Sequence, residues 1–448
     1  MTDGNSPRDR GKLLQVLGFA FGLAVILGNT IGTGIMRTPG EVAAGLPSAT
    51  WIIAVWLAGG AYALLGAFSL SELGAMIPRS GGQYVYVRRA LGEYPAFVVG
   101  WSDWVSTSGA VAATAIVIAE YSGVLVPALA NRQAAVGIAI IVAFTLLQSR
   151  GIKVGDAAQQ ISSLVKALVF VALVAACFVL SGTFAAAAPP APSMPSGTAL
   201  AAAVIVALQS VIYAYDGWTG ILYFGEEVKD PGRDIPRAMI GGVLAITAIY
   251  VLVNLAMLHV LGVGRMAGDP FVPGSASTAL FGERGTQVIH VVMILALLST
   301  VNALLLLASR VPVALSRDRL LPGVLASVNK GGTPAQALFA SAVVAIAFLV
   351  TGSFKTVINV LSFFFVASYT LSFSSVFVLR VREPNTPRPH RAIGYPWTTG
   401  LALALSVAFL IGAAKSDWTN TSRALVLLAA SLPVYLVVRR VQKTSRAA

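Results

Sequence analysis

The sequence predicts an all-α membrane protein with about twelve transmembrane helices, and three observations carry that prediction. Of the 448 residues, 56% are hydrophobic and 11% charged, with a mean hydropathy of +0.80. A soluble globular chain carries about a quarter charged residues. Apolar stretches of about 20 residues, each enough to cross a ~30 Å hydrocarbon core, recur along the whole length. The first and sixth of these stretches are interrupted by glycines, hydroxyls and, in the sixth, a carboxylate. Such residues suit a helix that unwinds at mid-membrane and offers its backbone to a polar solute.

Apolar runs separated by Gly, Pro and charged punctuation place the spans at 13–44 (broken), 49–77, 94–128, 134–149, 157–181, 199–227 (broken), 236–262, 285–312, 334–352, 355–380, 397–414 and 421–438. The first run is too long for a signal-peptide core and is followed by others, so it reads as a retained helix. The third is long enough that it must tilt or continue past the bilayer. Ala185–Pro195 carries no charge and no periodicity and reads as a linker before the sixth span, which opens a second half. The single cysteine, Cys177, lies inside the fifth run, so there is no disulfide framework and no metal-type cysteine pattern.

Basic residues set the expected orientation. With both termini inside, 23 of the 31 Lys and Arg residues fall on the inner side, 7 fall outside, and Lys166 lies within a span. Such a bias predicts an even number of spans with cytoplasmic ends. It also accounts for the net charge of +13 without nucleic acid as a partner, because the charges are spread over short loops and not gathered on one face.

The first interruption, Gly28-Asn29-Thr30-Ile31-Gly32-Thr33-Gly34, has a direct chemical use. A helix stopped near Gly28 and restarted near Gly34 exposes N–H groups at a new N-terminus, and these suit a carboxylate. The carbonyls freed at the end of the first half suit an ammonium group or a cation. Helix packing is the competing reading, since Gly18/Gly22 and Gly28/Gly32 are small-xxx-small pairs. The polar density of Asn29, Thr30 and Thr33 favours the binding use for the second pair. The second interruption, Tyr213-Ala214-Tyr215-Asp216-Gly217-Trp218, places an acid among aromatics. Asp216 is costly facing lipid, so it faces a cavity or a partner, or it caps the restarted half-helix.

Four stretches resemble the amino acid–polyamine–organocation transporters, in particular the L-type amino-acid transporters and their bacterial relatives. They are GNTIGTGIMRTP from Gly28, the loop from Ser71 to Gly100, YAYDGWTGILYFGEEVKDPGRDIP from Tyr213, and STVNALLLLASRVPVALSRDRLLP from Ser299. The resemblance implies a five-plus-five inverted-repeat core, 13–181 and 199–380, with broken helices 1 and 6 and two further helices over 397–438. It implies an amino-acid substrate carried by alternating access, with Gly32, Thr33 and Gly34 holding the carboxylate. The carbonyls of Thr30, Ile31, Tyr213 and Ala214 would take the amine. Asp216 and Trp218 would sit near the side chain, and Asn302 would lie close by. From the residues themselves, Tyr213, Tyr215 and Trp218 either wall the pocket or serve in plain packing, the commoner use of an aromatic in a membrane span.

Lys166 is a second sharp feature, since an ammonium at mid-span must pair, contact carbonyls or lose its proton. The resemblance places it where sodium-coupled relatives keep a cation, against carbonyls near Gly28 and polar groups such as Ser299 or Thr300. That implies sodium-independent exchange or proton-coupled uptake. Snorkelling to the inner interface is the competing reading. Asp103 and Glu120 in the third span relay protons or merely sit near an interface, the latter being favoured. Glu72, Glu226 and Glu227 lie near inner loops and are expected to pair with Arg79, Arg233 or Arg237.

No ligand spacing links His259, His290 and His390, and there is no nucleotide-binding loop, HExxH or GxSxG, so no metal, cofactor or enzymatic activity is expected. A channel would need a continuous polar lining, whereas the polar residues gather at two breaks. The outer loop from Ser122 to Gln133 lacks the cysteine by which animal L-type transporters join a heavy chain, so no disulfide-linked partner is expected. Ala-rich, Arg-over-Lys usage suits a bacterial inner membrane. The substrate side chain is left open between neutral amino acids, which are favoured, and cationic amino acids or polyamines, which Asp216 would suit.

Overall fold

The computed structural model describes residues 17–150, 168, 170–180, 189–327, 329 and 333–447. Helices α1 (Phe19–Thr30) and α2 (Thr33–Gly45) are two halves of one rod, bent by 46°. Then come α3 (Ala49–Met76), the short α4 (Gln83–Leu91), α5 (Glu93–Leu125), α6 (Gln133–Ser149) and α7 (Phe170–Leu180). The next stretch is α8 (Gly197–Tyr215), continued after a break by a 3-10 helix over Gly220–Glu227. The remainder is α9 (Pro231–Met266), α10 (Val272–Arg317), α11 (Ala335–Thr351), α12 (Phe354–Arg382), α13 (Trp397–Ser416), α14 (Trp418–Ala429) and α15 (Ser431–Ala447).

Among the described residues, eight helical stretches are long and apolar enough to cross a membrane, or nine with α1 and α2 taken as one span. α6, α7 and α11 are shorter apolar helices. The described elements fall on the apolar runs expected from sequence, most with ends displaced by a few residues; positions 157–167 of the expected fifth run lie outside the described residues. α5 has 33 residues, about 50 Å at 1.5 Å per residue, so it does outrun the hydrocarbon core. α9 and α10 extend beyond the expected spans, and each bends at a glycine: Gly262 with φ 67° and Gly282 with φ 68°, a region that residues with a Cβ avoid.

α5 is the central post, packed on α10, α11 and α12, while α3 and α1 pack on α9 and α2 packs on α8. Between lipid-bathed helices there is no hydrophobic driving force, so close approach through small residues supplies the attraction. A Cβ added at Gly109 of α5 would stand 2.5 Å from Leu361 of α12, and one at Gly66 of α3 would stand 2.7 Å from Trp218.

Charged residues cluster at the two ends of the bundle. At one end Glu72, 1% exposed, accepts from Arg380 Nε (2.8 Å) and Nη2 (2.5 Å), from Arg388 Nε (3.0 Å) and from the Ala392 amide (2.7 Å). The expected Arg79, Arg233 and Arg237 are not its partners. The chain after α12 folds back over the end of α3, an arrangement set by tertiary packing. Glu226 accepts from the Ser80 amide (3.3 Å), and no arginine pairs with it among the described residues. On the same face Arg89 grips Glu383 through two bonds (2.9 and 2.7 Å), which hold that carboxyl below its ordinary pKa. Leu17 pairs there with the chain around Val228, donating to Glu227 O (3.0 Å) and accepting from the Lys229 amide (2.8 Å). At the other end Arg37 bonds Glu120 of α5, lies 3.6 Å from Glu41 and stands over the Phe354 ring at 4.7 Å.

Candidate functional site

The two breaks meet in the middle of the bundle. α1 ends at Thr30 and α2 begins at Thr33, so the unwound stretch is Ile31-Gly32, shorter than the Gly28-to-Gly34 interruption expected. Gly28 and Asn29 remain helical. Gly32 occupies the N-cap of α2, and no side chain caps the helix. The first amides of α2 therefore lack helical acceptors and carry the positive end of its dipole.

α8 ends at Tyr215, and Asp216 to Thr219 separate it from the 3-10 helix. Gly217 has φ +116° and presses against the first break; a Cβ there would lie 2.7 Å from Thr30 Oγ1 and 3.0 Å from Thr30 N. Only glycine meets both demands. One turn away α2 crosses α8 so closely that a Cβ on Gly34 would lie 2.5 Å from Ala214 Cα.

Around this crossing lies a cavity of about 70 Å³, room for about two waters at ~30 Å³ each. Its walls are Asn29, Thr30, Gly32, Thr33 and Gly34 from the first rod, and Tyr213, Asp216, Gly217, Thr219, Gly220 and Tyr223 from the sixth. Asp103, Ser106, Thr107, Ala110 and Thr114 line it from α5, with Gln83 at the start of α4. Thr300, Leu304 and Leu307 come from α10, and Phe365 and Ser368 from α12. The lining reaches toward Gln83 and Tyr223, on the side of Glu72. It stops at Gly34 and Thr114 on the other side, where the Arg37–Glu120 pair joins α2 to α5.

Hydrogen bonds hold the walls. Thr33 Oγ1 and the Tyr213 hydroxyl are 2.9 Å apart, and Thr30 Oγ1 donates to Ile26 O (2.8 Å). The Tyr369 hydroxyl donates to Asp216 Oδ1 (2.6 Å). The Tyr223 hydroxyl lies 2.6 and 2.5 Å from the two carboxylate oxygens of Asp103. Tyr250 of α9 donates to Thr30 O (2.7 Å) and lies 2.9 Å from Ala214 O, tying the ends of α1 and α8 together.

The structure brings together Thr30, Gly32, Thr33, Gly34, Tyr213, Asp216 and Thr300 in the cavity wall. Several other expected residues stand elsewhere. The Tyr215 hydroxyl donates to Trp56 O (3.0 Å) on α3, away from the cavity. Trp218 is buried against Gly66 and the Tyr369 ring. Asn302 faces α6, where Gln148 Nε2 donates to both its backbone O (2.7 Å) and its Oδ1 (2.8 Å). Ile31, Ala214, Gly28 and Ser299 are not in the wall. The carbonyls of Thr30 and Ala214, expected to take an amine, already accept from Tyr250. Asp216 does not cap the restarted half-helix, whose N-cap is Thr219 with no side-chain bond. Lys166 lies outside the described residues.

Asp103 is the main correction, since it lines the cavity instead of sitting at an interface. A signal was present: Asp103, Ser106, Thr107, Ala110 and Thr114 recur at helical spacing, a polar and small stripe on one face of an apolar rod. Tyr250 carried no such signal. Among the described residues no group of three or more His, Cys, Asp or Glu is placed to hold a metal.

Paired unwound helices around a buried polar chamber define a membrane transporter of small solutes. The chain belongs to the amino acid permease family, whose model matches residues 12–432, and it is an amino-acid transporter of the amino acid–polyamine–organocation superfamily. It is 28% identical over 444 residues to the serine/threonine exchanger SteT of Bacillus subtilis, covering 96% of this chain and 98% of that one. It is 27% identical over 416 residues to the mouse b(0,+)-type amino acid transporter 1, covering 89% and 82%. An uncharacterised transporter of Mycobacterium tuberculosis is 30% identical over 408 residues, covering 90% and 89%.

Proposed function

We propose that the chain carries amino acids with small side chains across the membrane by alternating access, without sodium, as an exchanger or with a proton. The observation that carries this reading is the uncapped start of α2 facing the broken end of α8 in one buried cavity. The amides of Gly32, Thr33 and Gly34 bind the substrate carboxylate, where dipole and orphan donors replace its lost water. The amine goes to the carbonyls freed at the two breaks, Thr30, Ile31, Tyr213 and Ala214; Thr30 and Tyr213 line the cavity, and a carbonyl that already accepts one bond keeps a second lone pair. The serine/threonine specificity in the name of the Bacillus relative supports a small side chain. Neutral amino acids are substrates.

In this reading the Arg37–Glu120 pair closes the outer path, and the cavity leans toward the inner side, which carries both termini. Repeats over 13–181 and 199–380 rock around the fixed site, with 397–438 added. The protein sits in a bacterial inner membrane and works as a carrier, not an enzyme. It has no disulfide-linked partner, since its one cysteine, Cys177, is buried in α7. Lys166, Ser299 and Thr300 stand in for the cation of sodium-coupled carriers.

Counterflow in proteoliposomes tests the reading. Preloaded unlabelled serine should accelerate uptake of labelled serine equally in sodium and in choline buffer. Uptake that needs sodium, or that never saturates, would refute it, the first outcome removing sodium independence and the second the carrier mechanism.

A further inference from the structure

We propose that Asp103 on α5 forms a side-chain subsite in the cavity, through which the carrier accepts short diamino acids alongside neutral ones. The inference rests on the reading above and adds a residue and a ligand class to it. Three observations carry it.

First, the cavity holds two carboxylates, Asp103 and Asp216, and none of its described lining residues is Lys, Arg or His. Neither acid belongs to an ion pair formed among the described residues. Second, the two acids stand on different walls and are held differently. Asp216 belongs to the sixth-span break, which binds the substrate's backbone end, and Tyr369 donates to one of its oxygens. Asp103 belongs to the unbroken post α5, across from the breaks, and both its oxygens share the single hydroxyl proton of Tyr223. A carboxylate offers about four acceptor sites, so one shared proton leaves most of its capacity for the cavity. Third, the surroundings of Asp103 are hydroxyls on the same helix, Ser106 and Thr107, whose own protons go to the Asp103 backbone carbonyl at 3.1 and 2.7 Å. They therefore do not compete for its carboxylate.

An ammonium group is the complement of a half-satisfied carboxylate in a buried chamber, where charge-assisted bonds are the strong ones. The short arm follows from the small side chains of the proposed function. The ligand class is an amino acid with a terminal ammonium two or three carbons from Cα, for which 2,4-diaminobutyrate is the probe. Its neutral counterpart is 2-aminobutyrate. Both present the same α-carboxylate and α-amine to the breaks, so their comparison isolates the side-chain subsite.

The experiment is a thermal-shift titration of the full chain in detergent with both probes, on wild type, Asp103→Asn and Tyr223→Phe. Wild type should bind both. Asp103→Asn should weaken 2,4-diaminobutyrate roughly ten- to a hundredfold, the loss of one charge-assisted bond, and leave 2-aminobutyrate within about threefold. Tyr223→Phe keeps the carboxylate and should hold or tighten 2,4-diaminobutyrate. Equal weakening of both probes in Asp103→Asn would overturn the subsite and make Asp103 a purely structural tie to Tyr223. Wild type that binds 2-aminobutyrate but not 2,4-diaminobutyrate would also overturn it while leaving the proposed function standing. Wild type that binds neither probe nor serine would overturn the proposed function itself. Should Asp103→Asn not fold, loss of 2,4-diaminobutyrate binding in Tyr223→Phe overturns the assignment to the carboxylate, and retention supports it.

Discussion

Gly34→Ala should separate the packing of the two broken rods from their chemistry. The added methyl would stand 2.5 Å from Ala214 Cα and 2.7 Å from Ala214 Cβ. Carbon atoms rest about 3.5–4.0 Å apart, so α2 and α8 must move apart by about 1 Å at the crossing. The nearest atom is backbone, so no rotamer change relieves the clash. Overpacking of this kind costs about 1–3 kcal/mol.

Gly32→Ala is the matched control. Its methyl meets nothing closer than Thr300 Cγ2 at 3.8 Å, an ordinary contact, and the φ of −146° is open to any residue. That methyl enters the cavity wall. Thermal unfolding in detergent should therefore show a lowered midpoint for Gly34→Ala and a wild-type midpoint for Gly32→Ala. In proteoliposome uptake Gly32→Ala should raise the KM for serine. Adding Ala214→Gly to Gly34→Ala should restore stability only in part, because Ala214 Cα is still in the way. A wild-type midpoint in Gly34→Ala, or equal destabilisation by both variants, would refute the geometry of the crossing.

Other outcomes follow from the same contacts. Tyr250→Phe strips the donor shared by the carbonyls of Thr30 and Ala214, both buried. It should destabilise the protein by about 1–3 kcal/mol, read as a lower unfolding midpoint, and slow uptake by loosening the two ends. Glu72→Ala leaves the guanidinium groups of Arg380 and Arg388 without their shared carboxylate and should cost about 3–5 kcal/mol. Protease cleavage in the chain after α12 should rise in that variant. Arg37→Ala removes the pair with Glu120 that bridges α2 and α5. A cysteine placed at Thr114, the last cavity residue on α5, should then label faster with a charged thiol reagent added from the Arg37 side, in a Cys177→Ala background. Unchanged labelling would mean that the pair does not close this path.

Much of the architecture is legible in the sequence. That the chain is a series of membrane-length apolar helices is readable from length and punctuation, because a bilayer imposes a minimum span on every helix. The two interruptions were readable because an intramembrane carboxylate, Asp216, and glycines clustered with hydroxyls mark where a membrane helix unwinds. The wall residues Thr30, Thr33 and Tyr213 were found because they sit inside those interruptions.

Residues away from the breaks were harder. Tyr215, Trp218 and Asn302 share the polar or aromatic character of true wall residues, yet they turn toward α3, Gly66 and α6. In a soluble helix the polar face would reveal which way a side chain points. In a membrane the outside of a helix is as apolar as its packed side, so that signal is weak. Asp103 could have been placed by its stripe of small and hydroxyl residues. Tyr250 could not, because its role depends on two carbonyls 36 and 220 residues away meeting at one hydroxyl.

Sequence alone therefore determined that this chain crosses a membrane many times and where its first and sixth rods come undone. Which faces of α5, α9 and α10 turn inward, which carbonyls are already engaged, and how a second carboxylate reaches the chamber were decided only by the packing. The spans follow from solvent, which acts on each helix separately. The facing of side chains follows from contacts between helices, which no single segment encodes.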